Sequence, residues 1–365
     1  MRAAANGVDW RGFLRVAERH RIEGLAREAL VRAGAPVDSG VARALGDQAA
    51  RIARQGLIFA AETHRLQNAL DAAGIGNLVL KGAALEMLAY GALGLKSAWD
   101  IDLLVTPQDA SRARAVLENA GYALTSPPGP SPLAFAQWVD LAKECVFTHL
   151  RTGTPVELHW RLVDSDLLLG LSARSAWQTV YLAPDMPVRT LATEGLFAYL
   201  SVHGASHGWS RLKWLADLGA LLARCDAANL DRLLHSPEAV GAGVCPATAL
   251  HLCRQLLGRP LSNAPGLAQG RNAKARWLAG FALHVMAGGG AREIAERPLL
   301  GELIVLSHLL FADGGSYRRH EFGRLWLSVH DRRHIHLPGP LTFIYSLIRG
   351  PLWIWRRLPR RRAGL

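Results

Sequence analysis

The stretch from Ile75 to Val105 constrains this chain more than any other. Asn77 to Leu80 is a short apolar run ending at Lys81-Gly82, the pattern of a buried strand closed by a turn. Ala83 to Tyr90 has strong helix formers and no proline, which predicts a short helix stopped by Gly91 and Gly94. Asp100 to Val105 is then a second apolar strand with two carboxylates at its start. A strand has a period of two, so Asp100 and Asp102 point to one side and Ile101 to the other. Two like charges held side by side repel, and a divalent cation between them is the usual solution.

The surroundings of this stretch read as mostly helical. Leu14, Val16, Ala17, Ile22 and Leu25 recur at helical spacing, as do Ile52, Leu57, Ile58, Leu66 and Leu70, with Ala35 to Gly40 as the linker between the two runs. Pro107-Gln108-Asp109 opens a helix that stops near Gly121, and Tyr122 to Leu124 reads as a further short strand. Glu144 to Leu150 and Pro155 to Leu162 form a predicted β-hairpin through Arg151 to Thr154. Ala192 to Arg224 is one long helix or two closely joined ones, and helical patterns recur over 227–257, 273–287 and 299–311. The resulting division is a helical segment at 1–71, a mixed core at 72–165, a helical domain at 166–336 and a basic amphipathic tail at 337–365.

Composition narrows the class of protein. Half the residues are apolar and a fifth are charged, which supports a sizeable core and argues against global disorder. Cys145, Cys225, Cys245 and Cys253 contain no CxxC pair, so they read as reduced thiols rather than a disulfide framework or zinc site. No secretory leader or membrane-spanning run is visible, and the expected location is the cytoplasm. The net charge of +12 favours anionic partners, although five arginines between Arg356 and Arg362 concentrate part of it at one end.

The order strand, Gly turn, short helix, Asp-x-Asp strand resembles the nucleotidyltransferase superfamily. It is closest to the bacterial branch called uncharacterised nucleotidyltransferases, which reads Leu-Lys-Gly, then Asp-Ile-Asp-Leu-Leu-Val, then Glu-Leu-His-Trp. The matching pieces here are Leu80-Lys81-Gly82, Asp100 to Val105 and Glu157 to Trp160, within a resemblance covering roughly 55–220. It implies an α/β (α+β) fold, with a nucleotidyltransferase-type mixed sheet flanked by N- and C-terminal helical segments. The implied reaction moves a nucleoside monophosphate from an NTP to an unknown acceptor, a small molecule, protein or RNA, with Mg²⁺ or Mn²⁺.

Such a reaction needs carboxylates to hold metal, and Asp100 and Asp102 supply two. Glu157 is placed as the third, since a charge in an apolar strand is costly unless paired or metal-bound, and Glu144 competes for that role. Apart from metal, the three carboxylates are expected to repel, so that Asp102→Asn costs little stability. Gly82 would admit phosphate to the helix start, and Lys81 and Lys96 are candidate phosphate ligands. Ala83-Ala84 lacks the hydroxyl that many superfamily members carry there, and Lys96 replaces an arginine, which loses bidentate geometry. On a continuous helix over 201–218, His203, His207, Arg211 and Trp214 share one stripe, and a third zinc ligand is not evident. Arg211 and Lys213 are thus candidate nucleotide ligands and Trp209 a stacking surface; the plainer reading pairs Lys213 with Asp217 and buries the tryptophans.

Two further readings stay open. One is an accessory nucleotide-binding protein of a biosynthetic or surface-polysaccharide pathway, with weakened catalysis; the other is a toxin-like transferase acting on nucleic acid. The segment from Phe343 to Arg362 suits either peripheral contact with an anionic membrane or a terminal helix docked on the protein.

Overall fold

The computed structural model describes residues 8–127, 135–258, 269–287, 293–297 and 299–326. The basic tail at 337–365, the triple glycine at 288–290 and most of the 261–270 loop lie outside the described residues. The chain opens with α1 (Trp10–His20), α2 (Glu23–Arg32) and the 34-residue α3 (Ser39–Ala72). Asp38 caps α3 by accepting from the Gly40 and Val41 amides at 2.9 and 3.2 Å, satisfying donors that a helix start leaves unpaired. Ile52, Phe59, Leu66 and Leu70 form its buried stripe, while Leu57 and Ile58 fall off that spacing and face outward.

The core follows in the expected order, β1 (Asn77–Val79), α4 (Gly82–Tyr90), β2 (Ile101–Val105), α5 (Ala110–Asn119), β3 (Tyr122–Ser126), β4 (Glu144–His149) and β5 (Pro155–His159), with an unforeseen short helix α6 (Phe135–Leu141) before β4. Two strands not foreseen from sequence come next, β6 (Trp177–Tyr181) and β7 (Pro187–Leu191). They extend a seven-stranded mixed sheet in the order β3-β4-β5-β2-β1-β7-β6. The β4–β5 hairpin is antiparallel as its turn demands, whereas β2 runs parallel to β5 and β1 runs parallel to β7. The fold is α/β, as the resemblance implied.

Alternation along the strands divides the protein. Val79, Ile101, Leu103, Val105, Val156 and Leu158 pack on one face with Leu66 and Leu70 of α3 and Leu117 of α5. Leu78, Leu80 and Leu104 face the other way, into the apolar cluster of α7 (Thr193–Ser206), α8 (Leu212–Ala223) and α11 (Cys245–Leu257). Asp102 and Glu157 share that second side, because each is one residue out of phase with the first set. These two carboxylates therefore face the later helices. The remaining described helices are α9 (Ala227–Leu234), α10 (Pro237–Gly241), α12 (Gln269–Ala287), α13 (Leu300–Ser307) and α14 (Gly315–Trp326).

The loop from Gly91 to Asp100 is wedged between the N-terminal helices and α4. The Glu86 carboxylate accepts from the Gly94, Leu95 and Lys96 amides at 3.1, 2.7 and 2.8 Å. A Cβ built on Gly24 of α2 would lie 2.3 Å from the Leu95 carbonyl oxygen, too close for any side chain. Gly24→Ala is accordingly expected to push this loop outward and destabilise the fold by about 1–3 kcal/mol, the cost of overpacking. Denaturant unfolding midpoints of the two proteins check this; equal midpoints would show that the loop yields freely.

Candidate active site

The neighbouring strands β2, β5 and β4 bring the chemistry together. Asp102 pairs in register with Glu157, Leu104 with His159, and His159 with Glu144 across the hairpin. Ligand atoms of Asp102, Glu157 and His159 all lie within 4.8 Å of one another. Asp100 sits just before β2 and lines the same cleft, together with Lys81, Gly82, Lys96, Trp99, Lys143, His203, Lys213 and Asp217. The cleft holds about 230 Å³.

Asp102 is 2 % exposed and does not stand among carboxylates alone. Its Oδ1 lies 2.9 Å from Lys81 Nζ and 3.1 Å from His159 Nε2. His159 Nε2 is also 3.4 Å from Glu157 Oε2, and its Nδ1 is 2.9 Å from Glu144 Oε2. Burial alone would raise the Asp102 pKa, but Lys81 and His159 outweigh it and hold the carboxyl well below its ordinary value. Burial likewise opposes the His159 imidazolium, yet Glu144, Asp102 and Glu157 raise its pKa to about 10. Asp100 lacks such close partners: burial first, then the Asp102 charge, push it up to about 6.

These residues fit a divalent cation. Carboxylates on adjacent strands converge on the cleft, and burial, followed by the Asp102 charge, pushes the Asp100 carboxyl beside them up to about 6. Asp100, Asp102 and Glu157 supply hard oxygen ligands, while His159, held as an imidazolium by its carboxylate neighbours, stands beside them as a counter-charge that sequence reasoning left unused. The signal was present, since His159 shares its strand face with Glu157.

Gly82 opens α4 at φ +60°, and a Cβ there would meet nothing within 4 Å. The backbone angle rather than crowding therefore requires glycine. No side chain caps this helix start, and Gly82 lines the cleft. Lys96 lines the cleft but is committed to Asp217 at 2.7 Å, and the Asp217 carboxylate also accepts from the Tyr90 hydroxyl at 2.9 Å. This replaces the expected pairing of Asp217 with Lys213. Lys213 stands half-buried, its pKa lowered to about 8 by burial and then by Lys96 and Arg21.

The continuous helix over 201–218 is corrected. Gly208 and Trp209 adopt φ +58° and +49°, which ends α7 and restarts the chain as α8. His203, His207 and Trp214 still meet, with His207 stacked on Trp214 at 5.0 Å between centroids. Arg211 does not join them. Its guanidinium donates to the Arg19 carbonyl and pairs with Glu293 at 2.7 Å, outside the cleft. Trp209 is 1 % exposed and packs over Gly204, so it offers no stacking surface.

Lys81 and His159 also reverse the expected effect of neutralising Asp102. Asp102→Asn leaves a buried ammonium and imidazolium without their shared counter-charge, so the metal-free protein should lose roughly 3 kcal/mol. Urea unfolding in EDTA at pH 7 measures it. An unchanged or raised midpoint would mean that carboxylate repulsion dominates after all.

Residues 6–258, well over half of the chain, match the sequence profile of a family described as uncharacterised nucleotidyltransferase. No curated protein matches the chain. Among the described residues no helix is long and apolar enough to cross a membrane. With Leu80-Lys81-Gly82, Asp100 to Val105 and Glu157 to Trp160 assembled around one cleft inside the matched region, the chain belongs to the uncharacterised nucleotidyltransferase family.

Proposed function

We propose that this protein transfers a nucleoside monophosphate from an NTP to a hydroxyl or phosphate oxygen of an acceptor, using Mg²⁺ or Mn²⁺. The observation that carries this reading is the in-register pairing of Asp102 with Glu157 at the cleft floor. Asp100, Asp102 and Glu157 would hold the metal, with His159 beside them. When bound, the divalent ion neutralises phosphate charge and lowers the acceptor hydroxyl's pKa, so no dedicated base is required.

The chain's own residues have separable tasks. Lys81 and His159 keep Asp102 ionised, so the carboxylate is available as a ligand across the physiological range. The uncapped start of α4 at Gly82 offers backbone donors to phosphate, which suits a site where Ala83-Ala84 brings no hydroxyl. The Glu86 carboxylate fixes the loop that carries Lys96 and Asp100, holding Asp100 near β2. In the transfer, the acceptor oxygen bonds to the α-phosphorus and the bond to the departing pyrophosphate breaks. The acceptor class stays open among small molecules, proteins and RNA.

Labelled NTPs incubated with the protein, Mg²⁺ or Mn²⁺ and cell extract test the reading. The expected result is a labelled product and released pyrophosphate, both abolished by Asp102→Asn and by Glu157→Gln. Nucleotide binding with no product from any extract would favour the accessory-protein reading instead.

A further inference from the structure

Each lysine on the cleft wall has a carboxylate partner except one. Lys81 pairs with Asp102, Lys96 with Asp217 and Lys143 with Glu144. Lys213 and Arg21, both lining the cleft, have no carboxylate within ion-pair distance among the described residues. Half-buried cations without counter-charge are costly, and a ligand anion is what relieves them.

Arg21 comes from the joint between α1 and α2, far from the sheet in sequence. It adopts the left-handed conformation at φ 55°, uncommon for a residue with a side chain. Its guanidinium carbon lies 4.0 Å over the Trp99 ring, next to Asp100. That cation–π contact holds the guanidinium beside a ring that also lines the cleft. The joint itself is tied down from behind. Arg211 donates to the Arg19 carbonyl, and the Leu212 amide donates to His20 Nδ1 at 3.1 Å. Arg211 thus anchors the turn that presents Arg21, although it does not reach the cleft itself.

We infer that Arg21 and Lys213 form a phosphoanion subsite for the terminal phosphates of the NTP, the part that leaves as pyrophosphate. The inference rests on the NTP reading of the cleft and assigns the N-terminal helical segment a direct share in substrate binding. Two cations from separate elements that line one cleft match a diphosphate better than a single phosphate group. Arginine supplies a two-point contact and lysine a point charge, beside the carboxylates that would hold the metal.

Calorimetric titration of the full chain with inorganic pyrophosphate in Mg²⁺ tests this, with orthophosphate as the comparison ligand. Arg21→Ala and Lys213→Ala are each expected to weaken pyrophosphate binding about 10–100-fold, the range for charged hydrogen bonds. Arg21→Lys should recover only part of the loss, and melting curves verify that each variant is folded. Wild-type pyrophosphate affinity in folded Arg21→Ala overturns the assignment. So does orthophosphate binding as tightly as pyrophosphate with the same dependence on Arg21, which would place a phosphorylated acceptor there. Because binding is measured without turnover, a chain that holds pyrophosphate through Arg21 but transfers nothing retains the subsite and loses only the proposed reaction. Transfer with Arg21-independent pyrophosphate binding gives the reverse.

Discussion

A buried aspartate on a central strand needs a positive partner, and Asp102 has two. The Lys81 ammonium and the His159 ring both lie against one of its oxygens. Lys81 ends the segment after β1 and His159 ends β5, the two strands that flank β2. One carboxylate thereby ties three adjacent strands together at the end where the cleft opens. A low local dielectric makes such contacts strong when complete and expensive when broken. Stability and chemistry share these atoms, so the site is held rigid by the same charges that would receive a cation.

The helices set the other boundaries of the cleft. Glu86 accepts three consecutive backbone amides and so fixes the loop leading into Asp100. That loop is pressed by Gly24 on one side, and on the other Gly94 sits where a Cβ would fall 2.6 Å from the Ala53 Cα of α3. The α1–α2 joint is bound to the start of α8 through His20 and Arg211. The first helices therefore form a wall of the site as well as packing on the sheet.

Much of this was legible in the sequence where the pattern is local. The β1–α4–β2 order and the β4–β5 hairpin follow from period and turn chemistry, whereas the shared side of Asp102 and Glu157 was expected from the family resemblance. The β6–β7 hairpin was not, because Trp177 and Tyr181 are exposed and the strands join the sheet through β1, more than 100 residues upstream in part. Helical periodicity placed Arg211 with His203 and His207, but it assumes an unbroken helix, and Gly208 with left-handed Trp209 breaks it. Lys81 was recognisable beside its glycine, while its role as partner to Asp102 depends on a pairing 21 residues away. Arg21 carried no signal that separates it from other arginines, since left-handed geometry at a residue other than glycine leaves no mark in a sequence.

Binding of Mn²⁺ followed by electron paramagnetic resonance tests the central claim most directly, with a nonhydrolysable NTP analogue present. The account predicts that the wild-type protein immobilises Mn²⁺ at the Asp100, Asp102 and Glu157 cluster, and that folded Glu157→Gln binds it at least about tenfold more weakly. Equal Mn²⁺ binding by the two proteins, or none by either, would contradict it.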